Sequence, residues 1–280
     1  MISLDRGVVV ALGGGGMRGV AHLGVLAELS AAGVEIRALA GTSSGALMGA
    51  LWLAAGSTGA IERVREFCRS DRARKRPDPL AMASGPGLRG KVRRALALTA
   101  MVPMLIHRHQ MTTAEMIDGV GFFLPDIELS KLGRPLTVVA TDASTGDEVR
   151  LREGSLRHAV AASSAMPGLV APLAVGGRRL QDGGAVAEIP VAAARELGGP
   201  VVAVEVSEAL PAGDPDRDRL PRAMFRAAAM GWRALRQRTL AEADAIIAPR
   251  VNHVHWADYG RIEEVIAAGR EAGRRFLEAV

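Results

Sequence analysis

The sequence predicts an α/β fold, a three-layer αβα sandwich around a mostly parallel central sheet. Three observations carry that expectation. A short branched apolar run, Val8 to Leu12, ends in a glycine cluster, which is how a buried parallel strand meets a loop. Apolar positions at helical spacing follow at once, and the same order of strand, loop and helix recurs along the chain. With 280 residues, 49% hydrophobic and 23% charged, one large core suffices, so a single domain over 1–280 is expected.

The elements follow in order. From Gly19, Val20, Leu23, Ala27 and Val34, with Leu26 and Leu29 beside them, fit a helix that Gly33 stops. Ile36 to Ala40 gives a second strand, Gly41 to Gly45 a turn, and Ala46 to Ala55 a helix with almost no polar face. Further strands are expected at Leu136 to Thr141, Leu169 to Val175 and Val201 to Val206, with a short run at Arg178 to Leu180. The last helix, from Arg261, places Ile262, Val265, Ile266, Gly269, Gly273 and Phe276 on one face. Between about 66 and 116 the pattern breaks into a basic stretch, Arg69 to Arg76, then prolines and glycines, and reads as an inserted segment. Within it Ala95 to Ile106 is uncharged, basic-flanked and interrupted by Pro103, which suits either a lid or membrane-interface segment, or a helix on the core.

Charge and composition narrow the partners. A net charge of +5 and a pI near 10.2 favour anionic surfaces. Aromatic content of 3% gives poor support to base stacking, so no nucleic acid is expected. One cysteine, Cys68, without metal-ligand spacing fits a reducing cytoplasm and no metal site. The N-terminus lacks the layout of a signal peptide. Residues 38–61 carry no charge, but five glycines and five hydroxyl residues interrupt them, and they read as strand, turn and core helix rather than a membrane span. Arg222, Arg226, Arg233 and Arg236 share one face of the helix after Pro221, a candidate basic surface for peripheral membrane contact.

Three segments carry chemistry. Gly41-Thr42-Ser43-Ser44-Gly45 matches G-x-S-x-G, in which a sharp strand-to-helix turn exposes a nucleophilic serine; a helix cap is the plain alternative. Gly13 to Gly19 contains G-x-G-x-x-G. As a dinucleotide loop it lacks the acid expected at the end of the second strand, whereas its backbone N–H groups suit an oxyanion hole. Gln181-Asp182-Gly183-Gly184 offers an acid with room to approach another loop, or an ordinary Asp-Gly turn. His253 and His255 keep open a serine, acid, histidine triad, although the elbow comes early for an α/β-hydrolase.

Taken together, Gly14 to Gly19, Gly41 to Gly45 and Asp182-Gly183-Gly184 resemble, in order and spacing, the three motifs of patatin-like phospholipases. Val20 to Leu26, Ala162 to Gly168 and Ala243 to Pro249 are similar to the family's bacterial branch related to neuropathy target esterase. The resemblance implies an αβα fold and a Ser-Asp dyad with neither metal nor cofactor. Ser43 would attack an acyl carbonyl, Asp182 would take its proton, and backbone N–H groups at Gly14, Gly15, Gly16 and Arg18 would hold the oxyanion. The implied substrates are phospholipid, lysophospholipid or another acyl ester. An acyltransferase shares that covalent chemistry, and a lipid-surface module without turnover would share the fold. Glu188 departs from the family, standing where a polar amide is common.

Overall fold

The structure is a computed structural model that describes residues 4–74, 111–210 and 220–280. Strand β1 (Val8–Leu12) is buried throughout, and its alternation sets the layers. Val8, Val10 and Leu12 join one apolar cluster, Val9 and Ala11 a second on the other sheet face. The first cluster takes in helices α1 (Ala21–Ala31), α2 (Ser44–Arg69), α5 (Leu156–Ser163) and α8 (Ile262–Ala279). The second takes in the short α6 (Val191–Arg195) and Leu240 of α7 (Leu220–Ala241). Two further helices, α3 (Asp71–Arg74) and α4 (Thr113–Gly121), flank the span 75–110.

Besides β1 the sheet contains β2 (Ile36–Thr42), β3 (Leu136–Asp142), β4 (Glu148–Leu151), β5 (Leu173–Val175), β6 (Arg178–Asp182), β7 (Val201–Val204) and β8 (Ala245–Ile247). Its order is β5-β6-β3-β2-β1-β7-β8, with β4 on β3. β3, β2, β1, β7 and β8 are parallel, while β4, β5 and β6 are joined antiparallel at one end. The expected αβα sandwich with a mostly parallel sheet is the observed one.

The differences have local causes. β2 runs on to Thr42 because its last residues still pair with Val138 and Val139 of β3. The expected strand from Leu169 starts only at Leu173, since Leu169 and Val170 belong to the turn after Met166. β4 was not expected: Glu-Val-Arg-Leu is half-exposed along its whole length and has no apolar run to announce it. The central helix reaches Arg69, yet its helical path is broken at Gly56, with φ 68° and ψ 176°, one residue past the expected end at Ala55.

α2 has the length and composition to cross a membrane, but half of its apolar window is buried in the core. The uncharged stretch 38–61 is thus divided between a sheet strand, a turn and this helix. The edges of the expected insert are framework instead. Phe67 near the end of α2 packs against Phe122, Phe123 and Tyr259, and α4 opens with a capping box between Thr112 and Glu115. Ala95 to Ile106 lies outside the described residues.

Candidate active site

The register of β3 places the two candidate catalytic residues. Val139 pairs with Thr42 and with Arg150, so β2 and β4 lie on opposite edges of β3. Thr141 pairs with Glu148 and with Gln181, so β6 lies opposite β4 as well. β2 and β6 therefore share one edge of β3 and approach each other end to end. β2 stops at Thr42 opposite Val139 and β6 stops at Asp182 opposite Ala140. The residue after β2 is Ser43, and its Oγ donates to Asp182 Oδ2 at 2.7 Å.

The turn that aims Ser43 is strained. Its φ of 54° with ψ −122° makes it the one non-glycine residue with positive φ among the described residues. Close approach explains the flanking glycine: a Cβ on Gly45 would sit 2.1 Å from the Leu12 carbonyl oxygen. The Ser43 hydroxyl makes no cap bond to α2, which sets aside the cap alternative for this residue. Its backbone N–H donates to Ser163 Oγ at 2.8 Å, and Ser163 in turn donates to the Val139 carbonyl at 2.5 Å. Ser163 is fully buried at the end of α5.

Asp182 is held from both sides. Its N–H donates to the Ala165 carbonyl at 2.9 Å, its carbonyl accepts from Thr141 Oγ1 at 2.9 Å, and its Oδ1 accepts the Gly184 N–H at 2.7 Å. Burial raises its pKa from 3.8 to about 6; the Gly184 N–H and the Ser43 hydroxyl pull it down and the charge of Glu188 pushes it up. A carboxylate in that range is a far better base for a hydroxyl than one at its ordinary value.

The glycine loop runs from β1 into a 3₁₀ turn, Gly16–Val20, ahead of α1. Of the expected donors, Gly14 is engaged, because its N–H donates to the Glu188 carbonyl at 2.8 Å. The Arg18 N–H closes the turn onto Gly15 O at 3.2 Å. Gly15 and Gly16 make no backbone hydrogen bond through their N–H groups among the described residues. The expected four donors thus reduce to two unengaged ones. The Arg18 guanidinium is buried and braces the loop from behind, donating to the carbonyls of Val206 and Val254 at 2.9 and 3.0 Å. His22, wholly buried, bonds Gly13 O through Nε2 at 2.8 Å; desolvation lowers its pKa to about 4, so it is neutral at pH 7 and Nε2 carries the proton.

Several supports escape a sequence reading. Ser163, His22 and Thr141 sit in stretches without a chemical motif, although Ser163 and His22 fall in segments that resemble the family. Arg236 is the largest correction. Expected on a basic surface for membrane contact, it is turned inward between Glu188 at 3.1 Å and Glu205 at 3.0 Å. Glu188, the departure from the family pattern, thereby has a partner, and α7 is tied to the loop that engages Gly14. His253 pairs with Glu264 at 2.9 Å, and His255 Nδ1 accepts the Ala257 N–H at 3.3 Å, while the Ser43 hydroxyl goes to Asp182. No group of three or more metal-ligating side chains exists among the described residues.

Comparison with known proteins identifies the family. Residues 10–195 match the family model of patatin-like phospholipases. An uncharacterised NTE family protein of Mycobacterium tuberculosis is 32% identical over 212 residues, 75% of this chain and 52% of that protein. Another, from Mycobacterium bovis, is 29% identical over 98% of this chain and 47% of its own length. Patatin-like phospholipase domain-containing protein 7 of Mus musculus is 26% identical over 97% of this chain and 20% of its own. The chain thus spans about half the length of these mycobacterial relatives. Among solved structures, VipD from Legionella pneumophila aligns with a TM-score of 0.44 at 15% identity, over 98% of this chain and 66% of that one. By its match across residues 10–195, the chain belongs to the patatin-like phospholipase family.

Proposed function

We propose that this chain is a serine carboxylic-ester hydrolase of the phospholipase A or lysophospholipase type, with Ser43 as nucleophile and Asp182 as its base. The observation that carries the reading is the 2.7 Å hydrogen bond from a strained, helix-start serine to a buried carboxylate whose pKa is raised to about 6. Asp182 accepts the Ser43 proton as Oγ attacks the acyl carbonyl. The tetrahedral oxyanion is held by the N–H groups of Gly15 and Gly16, with the α2 N-terminus favouring the developing charge. Collapse expels the alcohol, which takes the proton from Asp182. Water, deprotonated by Asp182, then attacks the acyl carbon, and as the fatty acid leaves, Ser43 Oγ takes that proton back from Asp182. No metal or cofactor enters these steps. A cytoplasmic setting is part of the proposal, supported by the single, half-buried Cys68.

The test is hydrolysis of p-nitrophenyl butyrate and of a lysophospholipid by the wild type, Ser43→Ala, Asp182→Asn and His255→Ala. Loss of about a thousandfold or more in the first two variants, with His255→Ala near wild type and free fatty acid as product, is the expected result. An equal loss in His255→Ala replaces the dyad by a triad. An acylated alcohol as the main product makes the chain a transferase.

A further inference from the structure

Helix α7 is built the reverse of an ordinary surface helix. Leu220, Met224, Phe225, Trp232 and Leu235 are all exposed, from 72% at Leu220 to 44% at Leu235. At 3.6 residues per turn they fall within an arc of about 140°. Phe225 and Trp232 stack edge to face with centroids 6.4 Å apart, so the aromatic part of this face is already assembled. The helix meets the protein on the side just beyond Phe225, through Leu240, which is buried, and Arg236 between Glu188 and Glu205. Single exposed apolar residues need no explanation, but a contiguous stripe of five with two aromatics does.

Charge selects the occupant. The sequence 220–241 has five arginines and no acidic residue, and Arg238 is exposed within the apolar arc. A cationic helix with an apolar outward face matches an anionic lipid surface, where Trp and Phe enter the headgroup boundary and Arg reaches the phosphates. Position agrees: Trp232 and Leu235 lie within about one turn of Arg236, and Arg236 holds the residue whose carbonyl engages Gly14 beside Ser43.

We infer that α7 is an interfacial helix that lays its Leu220 to Leu235 face into an anionic lipid surface and brings the Ser43 site to that surface. The choice of lipid as occupant rests on the lipid-hydrolase reading; the binding itself needs no turnover.

Two measurements test it. Intrinsic fluorescence of the Ser43→Ala protein is recorded with phosphatidylglycerol vesicles and with phosphatidylcholine vesicles. A blue shift with the anionic vesicles, weakened by salt and absent in Trp232→Phe, is expected. Co-sedimentation then compares the wild type with Phe225→Ser/Trp232→Ser/Leu235→Ser. Vesicle affinity drops by about tenfold or more, while turnover of soluble p-nitrophenyl butyrate is kept, which also shows that the variant is folded. Vesicle binding unchanged by the triple substitution, or absent in the wild type, overturns the inference. So does a wild-type dimer that the substitution converts to monomer without vesicle binding, since the face then belongs to a second copy. Inactivity of the wild type on every ester, with the blue shift intact, overturns the hydrolase reading and leaves this one standing.

Discussion

Ser43 and Asp182 touch, yet they are secured in different ways. Ser43 is fixed mostly by its own neighbours in the chain: a strand that stops at Thr42, a positive φ, and Gly45 pressed against Leu12. Asp182 is fixed at its backbone by residues of other elements, Thr141 of β3 and Ala165 after α5. The nucleophile is thus held by steric fit and strain, and the acid by burial and hydrogen bonding. Damage to the first should disturb the fold directly, whereas damage to the second should shift protonation and stability in a pH-dependent way.

The sharpest break of that contrast is Gly45→Ala. A methyl carbon 2.1 Å from a carbonyl oxygen has no rotamer to escape into, so β1 and α2 must part. A loss above about 4 kcal/mol is expected, read as a collapse of the urea midpoint or of soluble yield.

Asp182→Asn works in the other direction. The folded pKa, about 6, lies above the ordinary 3.8. Below 3.8 both folded and unfolded states hold the proton and the group is neutral to stability. As pH rises toward 6 the unfolded state releases its proton first, so folding stability falls, by about 3 kcal/mol once both states are ionised. The amide removes that penalty. Urea denaturation should show the variant more stable than wild type by up to about 3 kcal/mol at pH 8 and unchanged below pH 4, although it is inactive. In the wild type, the same ionisation makes kcat/KM rise with an apparent pKa near 6.

The smallest effect separates two adjacent serines. Ser163→Ala strands the Ser43 N–H and should cost about 1 to 2 kcal/mol, with a slower acylation step. The Ser164 hydroxyl is buried without a partner among the described residues, so Ser164→Ala should be neutral or slightly stabilising in the same urea titration.

What the sequence discloses follows the same division. Strand, glycine loop and elbow are contiguous, so β1, β2, α2 and the elbow at Ser43 could be read from spacing, whereas Asp182 stood out only in combination with the other two motifs, through the family resemblance. The edges were harder. β4 and β8 are four and three residues long, and pairing rather than composition defines them. Gly14 looked like a donor because a glycine loop shows its N–H groups but not the Glu188 carbonyl that takes one of them. Arg236 looked like part of an outward basic surface because helical spacing groups residues without telling which side the core takes; Glu188 and Glu205 decide that, from outside the helix.

The shared edge of β3 also bears on how activity is acquired. Ser43 and Asp182 are 139 positions apart, and their spacing is dictated by where two oppositely directed strands run out on a third. Such a pair is complete only when the antiparallel β6 has found its register, and a slip of one residue would turn the carboxylate to the other sheet face. Contacts of that sequence separation form late and slowly, so the return of esterase turnover during refolding should lag the return of helical signal and serve as a clock for the closing of the sheet.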